Sequence, residues 1–552
     1  MAKIHTIFFS GFFFFLSMHS FSQDLDSFNL PIVKINTFGF EIPNEPKIKA
    51  TMDIINYGPQ ILNHVSDSVN DYHGYIGIEL HGSSSLMFPK NSFGIEIRTP
   101  YGADTTASVL GMPEESDWVL YGPYTDKTML RNVLEYNLSR DMGRYAPRTV
   151  CCELVLNESY WGVYVMMEKI KRDKNRVDIS KLTPDENSGN DLTGGYIIKL
   201  DKYDGSNSGL GWTSPYTPPN ASSADQSIFI QYEYPKNQDI TSSQMEYIRE
   251  YVTAFEAALN SRDYNNIITG YQRFADVNSM VDYFILNEIS HNVDGYRLST
   301  FIYKDKDSKN GRLTFGPIWD LNLGFGNADY CEGGKTNGWA FLFNYVCNTD
   351  YWQIPFWWNK LFADYKFRQL LSDRWNTLRQ GPFKTQTVLN YIDSMASVLN
   401  EAQTRNYVRW SGVLGYYIWP NAYVGATYGD EINYLKDWIT SRFEWMDENL
   451  ANAPNSLEED NLNPGIVVYP NPFQNQINIV LPDTKVASYT LVISDISGKT
   501  FWSHDYTLTG HSNLLIVSGS GPSGTELNNG IYILRLYKDH QIFYTTKIVK
   551  NG

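Results

Sequence analysis

From residue 29 onward, apolar and polar positions alternate in short runs at 32–37, 49–55, 75–80 and 92–99. Turn residues separate the runs, which predicts strands. The period changes over 127–143, where Met129, Leu130, Val133, Leu134 and Leu138 fall on one helical face and Gly143 supplies a stop. Strand patterns return at 150–157, 162–168 and 195–201, and the Gly-, Ser-, Pro- and Asn-rich segment 205–223 reads as a loop or flap. Residues 242–261 and 276–292 carry the helical period, with Met280, Tyr283, Phe284 and Ile289 on the buried side of the second. A hairpin is expected from 300–304 and 312–315 over the polar turn 305–311, and the stretch 359–450 is largely helical. Strands come first and helices last, an α+β layout.

Two ends differ from this body. Residues 1–22 combine Lys3 and His5 with an apolar run and the small residues Ser20 and Ser22, the three-part layout of a secretory signal peptide. No Cys follows that run, and no later segment has about 18 uninterrupted apolar residues. The large domain is therefore placed at 29–450, with no membrane span. Residues 451–464 are rich in Asn, Pro and acid and read as a linker, and 465–552 alternates with period two at 466–469, 477–481, 489–493, 531–536 and 543–549, which predicts a small antiparallel β-sandwich.

Composition narrows the function. A hydrophobic content of 42% and a charged content of 19% are those of a folded globular chain. A net charge of −16 argues against nucleic acid as the partner, since phosphate backbones need clustered Lys and Arg. It leaves room for a nucleotide held through Mg²⁺ by carboxylates. Aromatic residues reach 15%, which fits large aromatic cores or a sugar-stacking surface. Cys151 and Cys152 are adjacent and expected to be core thiols. Cys331 and Cys347 flank a Gly-containing loop and are expected to close it in an oxidising compartment.

The chemistry concentrates in Asn287–Tyr296 and Phe315–Gly326. Asp294 follows a helix end and precedes Gly295, while Asp320 lies past a strand and before a Gly-containing turn. Phosphoryl transfer needs such a pair, one Asp to accept or orient the acceptor hydroxyl and one to hold the metal that bridges the phosphates. Buried aspartates that only cap helices and turns are the competing reading. Several other motifs fail. Gly334-Lys335-Thr336 lacks the first Gly of a P-loop, Gly324–Gly326 lacks the third Gly of a dinucleotide fingerprint, and there is neither HExxH nor Gly-x-Ser-x-Gly.

Two resemblances sharpen these readings. The tail, with Val468-Tyr469-Pro470-Asn471-Pro472-Phe473, Ser494–Gly498, Gly530-Ile531-Tyr532 and Lys547-Ile548-Val549-Lys550, resembles a type IX secretion system type A sorting domain. That implies handling by the type IX machinery and export through the periplasm to the cell surface or medium. The body resembles the spore-coat-protein-H (CotH) kinase-like family through Leu80–Ser85, Phe88–Phe93, Leu130-Arg131-Asn132, Gly162–Glu168, Val293-Asp294 and the block Gly316–Asn327. The resemblance implies an atypical protein-kinase-like domain, β-rich first and helical later, followed by the small sandwich. Its implied activity is transfer of the ATP γ-phosphate, with Mg²⁺ or Mn²⁺, to Ser of a secreted or surface protein.

On that resemblance Asp294 takes the catalytic role, Asp320 and Asn322 the metal, and Lys90, Arg131 and Glu168 the nucleotide. The bland alternatives are an edge-strand Lys90, a helix-surface pair for Arg131 and a strand-end pair of Glu168 with Lys169 or Lys171. His81 stands where the family carries Arg, and Asn322 where a second Asp is common, each removing a charged contact. The alternative function is a catalytically inactive adhesion or glycan-binding protein on the same fold.

Overall fold

The computed structural model describes residues 27–202, 210–450, 466–481, 487–495, 499–508, 514–518, 526–538 and 541–551 of the 552-residue chain. The expected signal peptide at 1–22 and linker at 451–464 lie outside them.

The N-terminal strands close into a barrel. Its members are β1 (Ile32–Asn36), β2 (Ile48–Ile55), β3 (Tyr72–His81), β4 (Ser92–Arg98), β5 (Asp117–Tyr121), β6 (Thr149–Leu156) and β7 (Ser159–Glu168), in the order β6-β7-β5-β4-β3-β2-β1. The parallel pairing of Glu153 with Ile32 closes the ring, and the other pairs are antiparallel. Alternate residues of each strand point inward, so Val33, Met52, Ile78, Ile95, Trp118, Leu154 and Met166 fill the interior. The same alternation separates the vicinal cysteines. Cys152 faces the barrel interior and Cys151 the main core outside it, and both are free thiols.

Helix α1 (Arg131–Asp141) interrupts the barrel between β5 and β6. It starts four residues later than its hydrophobic period suggests, because the Asp126 carboxylate accepts the Thr128 and Arg131 backbone N–H groups and Met129 adopts φ +60°. A second antiparallel sheet follows, made of β8 (Tyr196–Leu200), β9 (Gly211–Thr213), β10 (Phe229–Tyr234), β11 (Thr300–Lys304) and β12 (Thr314–Phe315), in the order β9-β10-β8-β11-β12. The predicted hairpin is its β11–β12 edge.

The helical part comprises α2 (Ser242–Asn260), α3 (Val277–Ser290), α4 (Trp357–Ala363), α5 (Tyr365–Gln380), α6 (Thr385–Arg409) and α7 (Tyr428–Leu450). A capping box of Thr241 and Gln244 opens α2, and Asp276 caps α3 through the Asn278 N–H. Nearly every residue of α3 is buried among α5, α7 and aromatic side chains such as Trp339, Trp358 and Phe362. The stretch 359–450 is largely helical, as expected, with one long break at 410–427, where Gly412, Gly415, Pro420 and Gly425 interrupt the period and Tyr416, Tyr417 and Trp419 are exposed.

The tail forms two sheets. One joins β13 (Val467–Tyr469), β14 (Gln476–Val480) and β17 (Leu514–Ser518), and the other β15 (Ala487–Asp495), β16 (Thr500–Leu508), β18 (Gly530–Lys538) and β19 (Gln541–Lys550). Phe473, Ile477, Leu491, Trp502, Leu534 and Ile548 share their core. The opening and closing motifs touch: Phe473 N–H donates to Val549 O, and Asn471 exchanges hydrogen bonds with Lys547 O and Val549 N–H. Among the described residues no helix is long and apolar enough to cross a membrane.

Candidate functional site

The site grows from the C-terminal end of α3. His291 ends the helix in the left-handed region at φ +46°, and the carbonyls left open are taken by other segments. Phe325 N–H donates to Ser290 O, and Arg442 Nε of α7 donates to Glu288 O. The helix end is therefore tied to the loop that follows Asp320. Asn292 makes a second tie: its Oδ1 accepts the Asp294 N–H at 3.1 Å, and its Nδ2 donates to Asp320 O at 3.3 Å. One side chain thus spaces the two segments that carry the candidate aspartates.

The Asp320 loop is held mostly by its backbone. Tyr136 and Asn132 of α1 accept the N–H groups of Asp320 and Leu321 at 3.4 and 2.8 Å. Asn327 Nδ2 donates to Asn322 O, and Arg131 Nε to Gly324 O. Gly324 makes a close approach here, since an added Cβ would lie 3.0 Å from the Ser290 Cβ. With the main chain fixed by neighbours, the Asp320 side chain is left to face solvent.

Charge shows what this arrangement favours. Burial among surrounding segments, then the charges of Asp294 and Asp201, push the Asp320 carboxyl up to about 7, with Lys202 opposing. Because the side chain still reaches water, the like-charge contribution is the firmer part. Asp201 directly follows β8, and its carbonyl accepts from Gln231 Nε2. The neighbouring Lys202 reaches across to Ser84 Oγ at 3.0 Å. The β8 end, the α3 end and the Asp320 loop therefore bring Asp201, Asp294 and Asp320 near enough to feel one another's charge, with Lys202 linking this group to the Ser84 turn. Carboxylates that repel one another are stabilised by a cation. Among the described residues no three His, Cys, Asp or Glu side chains form a ready-made metal centre.

Residues 78–446 match the family described as CotH kinase protein, which is most of the large domain. The chain belongs to that CotH kinase family. Residues 467–551 match the secretion system C-terminal sorting domain. No curated protein matches the chain. A solved structure of PorZ, an essential bacterial surface component of the type-IX secretion system of Porphyromonas gingivalis, matches at 17% identity over 18% of this chain and 13% of its own, with a TM-score of 0.14. The sorting domain directs this CotH-family chain to the type IX machinery and to the cell surface or extracellular space.

Within this family member, the predicted site residues divide. Asp294 and Asp320 meet through their charges and through Asn292, with the Asn322 backbone in the same loop. The three residues expected to bind nucleotide have other partners. Lys90 is buried, donates to Asn406 Oδ1 at 2.8 Å and lies over the Tyr164 ring, where the barrel meets α6. Arg131 is buried against Asp126 at 2.6 Å and braces the loop at Gly324 through its Nε. Glu168 is buried and accepts from Arg148 at 2.7 Å and from Tyr145, a strand-end ion pair with Arg148 in place of Lys169 or Lys171. His81 lies edge-on to Trp319 at 6.4 Å, and burial followed by Lys169, Lys47 and Lys199 pushes its imidazole down to about 3. It carries no charge at neutral pH. Asn292, Asp201 and Lys202 had no assigned role in the sequence reading. Their only sequence signals are position, beside Asp294 and at the end of a predicted strand.

Proposed function

We propose that the chain is a secreted phosphotransferase that moves the ATP γ-phosphate to a Ser hydroxyl of a secreted or surface protein. The observation that supports this reading is the nearness of Asp294 and Asp201 to Asp320, where burial and then their charges raise the Asp320 carboxyl. Asp320, with Asn322 beside it, would hold a Mg²⁺ or Mn²⁺ ion arriving with the nucleotide. That ion would neutralise charge on the β- and γ-phosphates. Asp294 would accept the proton of the acceptor hydroxyl. Lys202 and Ser84 supply hydrogen-bond donors beside this group, in the place first expected of Lys90 and Arg131.

The test is incorporation of labelled phosphate from ATP into a Ser-containing protein or into the chain itself. Wild type should transfer, and Asp294→Ala and Asp320→Ala should each lose about 10²-fold or more. Equal incorporation by the Asp320→Ala variant would remove the reading. A second reading, a non-catalytic adhesion or glycan-binding protein, is favoured by the exposed Tyr416, Tyr417 and Trp419 of one loop. It predicts a melting temperature indifferent to ATP and Mn²⁺ and raised by a polysaccharide.

A further inference from the structure

Asp294 is not held by its own turn alone. Arg297 Nη2 donates to Asp294 Oδ1 at 2.8 Å, and Arg297 Nε donates to Val293 O at 2.7 Å. The same guanidinium reaches forward through Nη1 to Asp350 Oδ1 and Trp352 O, both at 3.0 Å, and lies 4.1 Å over the Phe343 ring. It is 4% exposed, so this fork is protected from water. Among the described residues no hydrogen bond is made by the other Asp294 oxygen, Oδ2. Arg297 therefore occupies one oxygen of the carboxylate and leaves the second without a protein donor among the described residues.

A disulfide closes the chain just before the residues that anchor Arg297. Cys331 and Cys347 are joined with Cα atoms 5.6 Å apart, and the closed loop connects to the Asp294 turn directly near one end and through Asp350 at the other. At one end Gly333 packs so closely on Val293 that an added Cβ would lie 2.6 Å from its Cγ1. At the other, Asp350 N–H donates to Cys347 O, and the Asp350 carboxylate holds Arg297. Burial, and then the charge of nearby Asp294, raises the phenol of Tyr330, immediately before Cys331.

We propose that Arg297 is the positioning residue for Asp294, and that the Cys331–Cys347 disulfide latches Arg297 through Asp350. The inference rests on the phosphotransfer reading of Asp294. It makes that site complete only in the oxidised chain, and so ties activity to the side of the membrane where disulfides persist. Reduction is a clean probe. A small dithiol donates two electrons and two protons, the S–S bond becomes two thiols, and the dithiol closes to its own disulfide. Cys151 and Cys152 are already thiols and are buried.

The experiment uses the full oxidised chain, with and without dithiothreitol, beside Asp350→Asn and Arg297→Lys. Phosphotransfer kinetics and amide hydrogen exchange over residues 292–298 are read together. Reduction should lower kcat about 10- to 100-fold, as expected when a catalytic group is misplaced by an ångström. KM for ATP should stay within about twofold, because the nucleotide side of the site is untouched. Exchange over 292–298 should quicken in step. Asp350→Asn, which keeps shape and loses charge, should reproduce part of the loss, and Arg297→Lys more of it. Unchanged kcat and exchange on reduction would overturn the proposal, as would a rise in KM for ATP that matches the fall in kcat. Should the oxidised wild type transfer no phosphate, the phosphotransfer reading fails by itself. Exchange alone then decides the latch, with faster exchange on reduction supporting it and equal exchange overturning it.

Discussion

At the scale of single residues, Asp320 combines two unfavourable features. Its backbone lies in the left-handed region at φ +59°, and its carboxyl is repelled by Asp294 and Asp201. A non-glycine residue in a sparsely populated region costs about 1–3 kcal/mol and persists where neighbours over-determine it. Here Asn132, Tyr136 and Asn292 supply the constraint through main-chain hydrogen bonds. The titration has a definite sign. A carboxyl near 7 in the native state and about 3.9 unfolded binds a proton in the folded chain alone between those values. Its contribution to stability is therefore present at low pH and lost as pH rises through about 7. A metal-bound nucleotide needs the ionised form. The rise in melting temperature given by ATP with Mn²⁺ should therefore grow between about pH 6 and about pH 8, and Asp320→Asn should abolish that growth. A shift of equal size across this range in wild type would contradict the assignment.

At the scale of elements, what was legible followed from local period and caps. The α3 helix carries both its apolar face and its Asp276 cap in consecutive sequence, so its range was readable to within two residues. Strands β5 and β10 were not called from the pattern, because Asp117–Tyr121 and Phe229–Tyr234 are buried on both faces over most of their length and lack a clean alternation. The aspartates were legible because each sits in a dense local motif, whereas Asn292 acts through a contact 28 residues away. Likewise, Lys202 acts through Ser84, 118 residues away. Lys90 and Glu168 looked like site residues by motif, and only packing reveals Asn406 and Arg148 as their partners. Helix α2 carries one further consequence of such packing. Its Glu256 is fully buried, accepts from Ser214 and Trp357 on Oε1 only, and burial pushes its carboxyl up to about 7. Raised above its unfolded value, this group favours the fold below about pH 4.3 and loses that advantage as pH rises through about 7. Glu256→Gln should therefore raise stability by about 2 kcal/mol at pH 8 and leave it nearly unchanged at pH 5, read from denaturant or thermal unfolding. Destabilisation at pH 8 would show that the carboxylate form is needed there.

At the scale of the whole molecule, the closed barrel, the second sheet and the helical part each contribute one of the groups gathered around Asp320. The barrel brings the Ser84 turn from the end of β3, the sheet brings Asp201 from the end of β8, and α3 brings Asp294. The tail is a separate sandwich whose YPNPF opening and KIVK close are bonded together, and its role is export. The proposed phosphotransfer belongs to the body and depends on one geometric claim, that Asp294 and Asp320 face the same metal-bound triphosphate. The most direct measurement is a crystal structure of the oxidised chain with a non-hydrolysable ATP analogue and Mn²⁺, read by the anomalous signal of the metal. An Mn²⁺ peak within coordination distance of the Asp320 carboxylate, with the terminal phosphate turned toward Asp294 Oδ2, is the predicted result. A nucleotide bound elsewhere on the chain, or Mn²⁺ absent from Asp320 at saturating nucleotide, would contradict it.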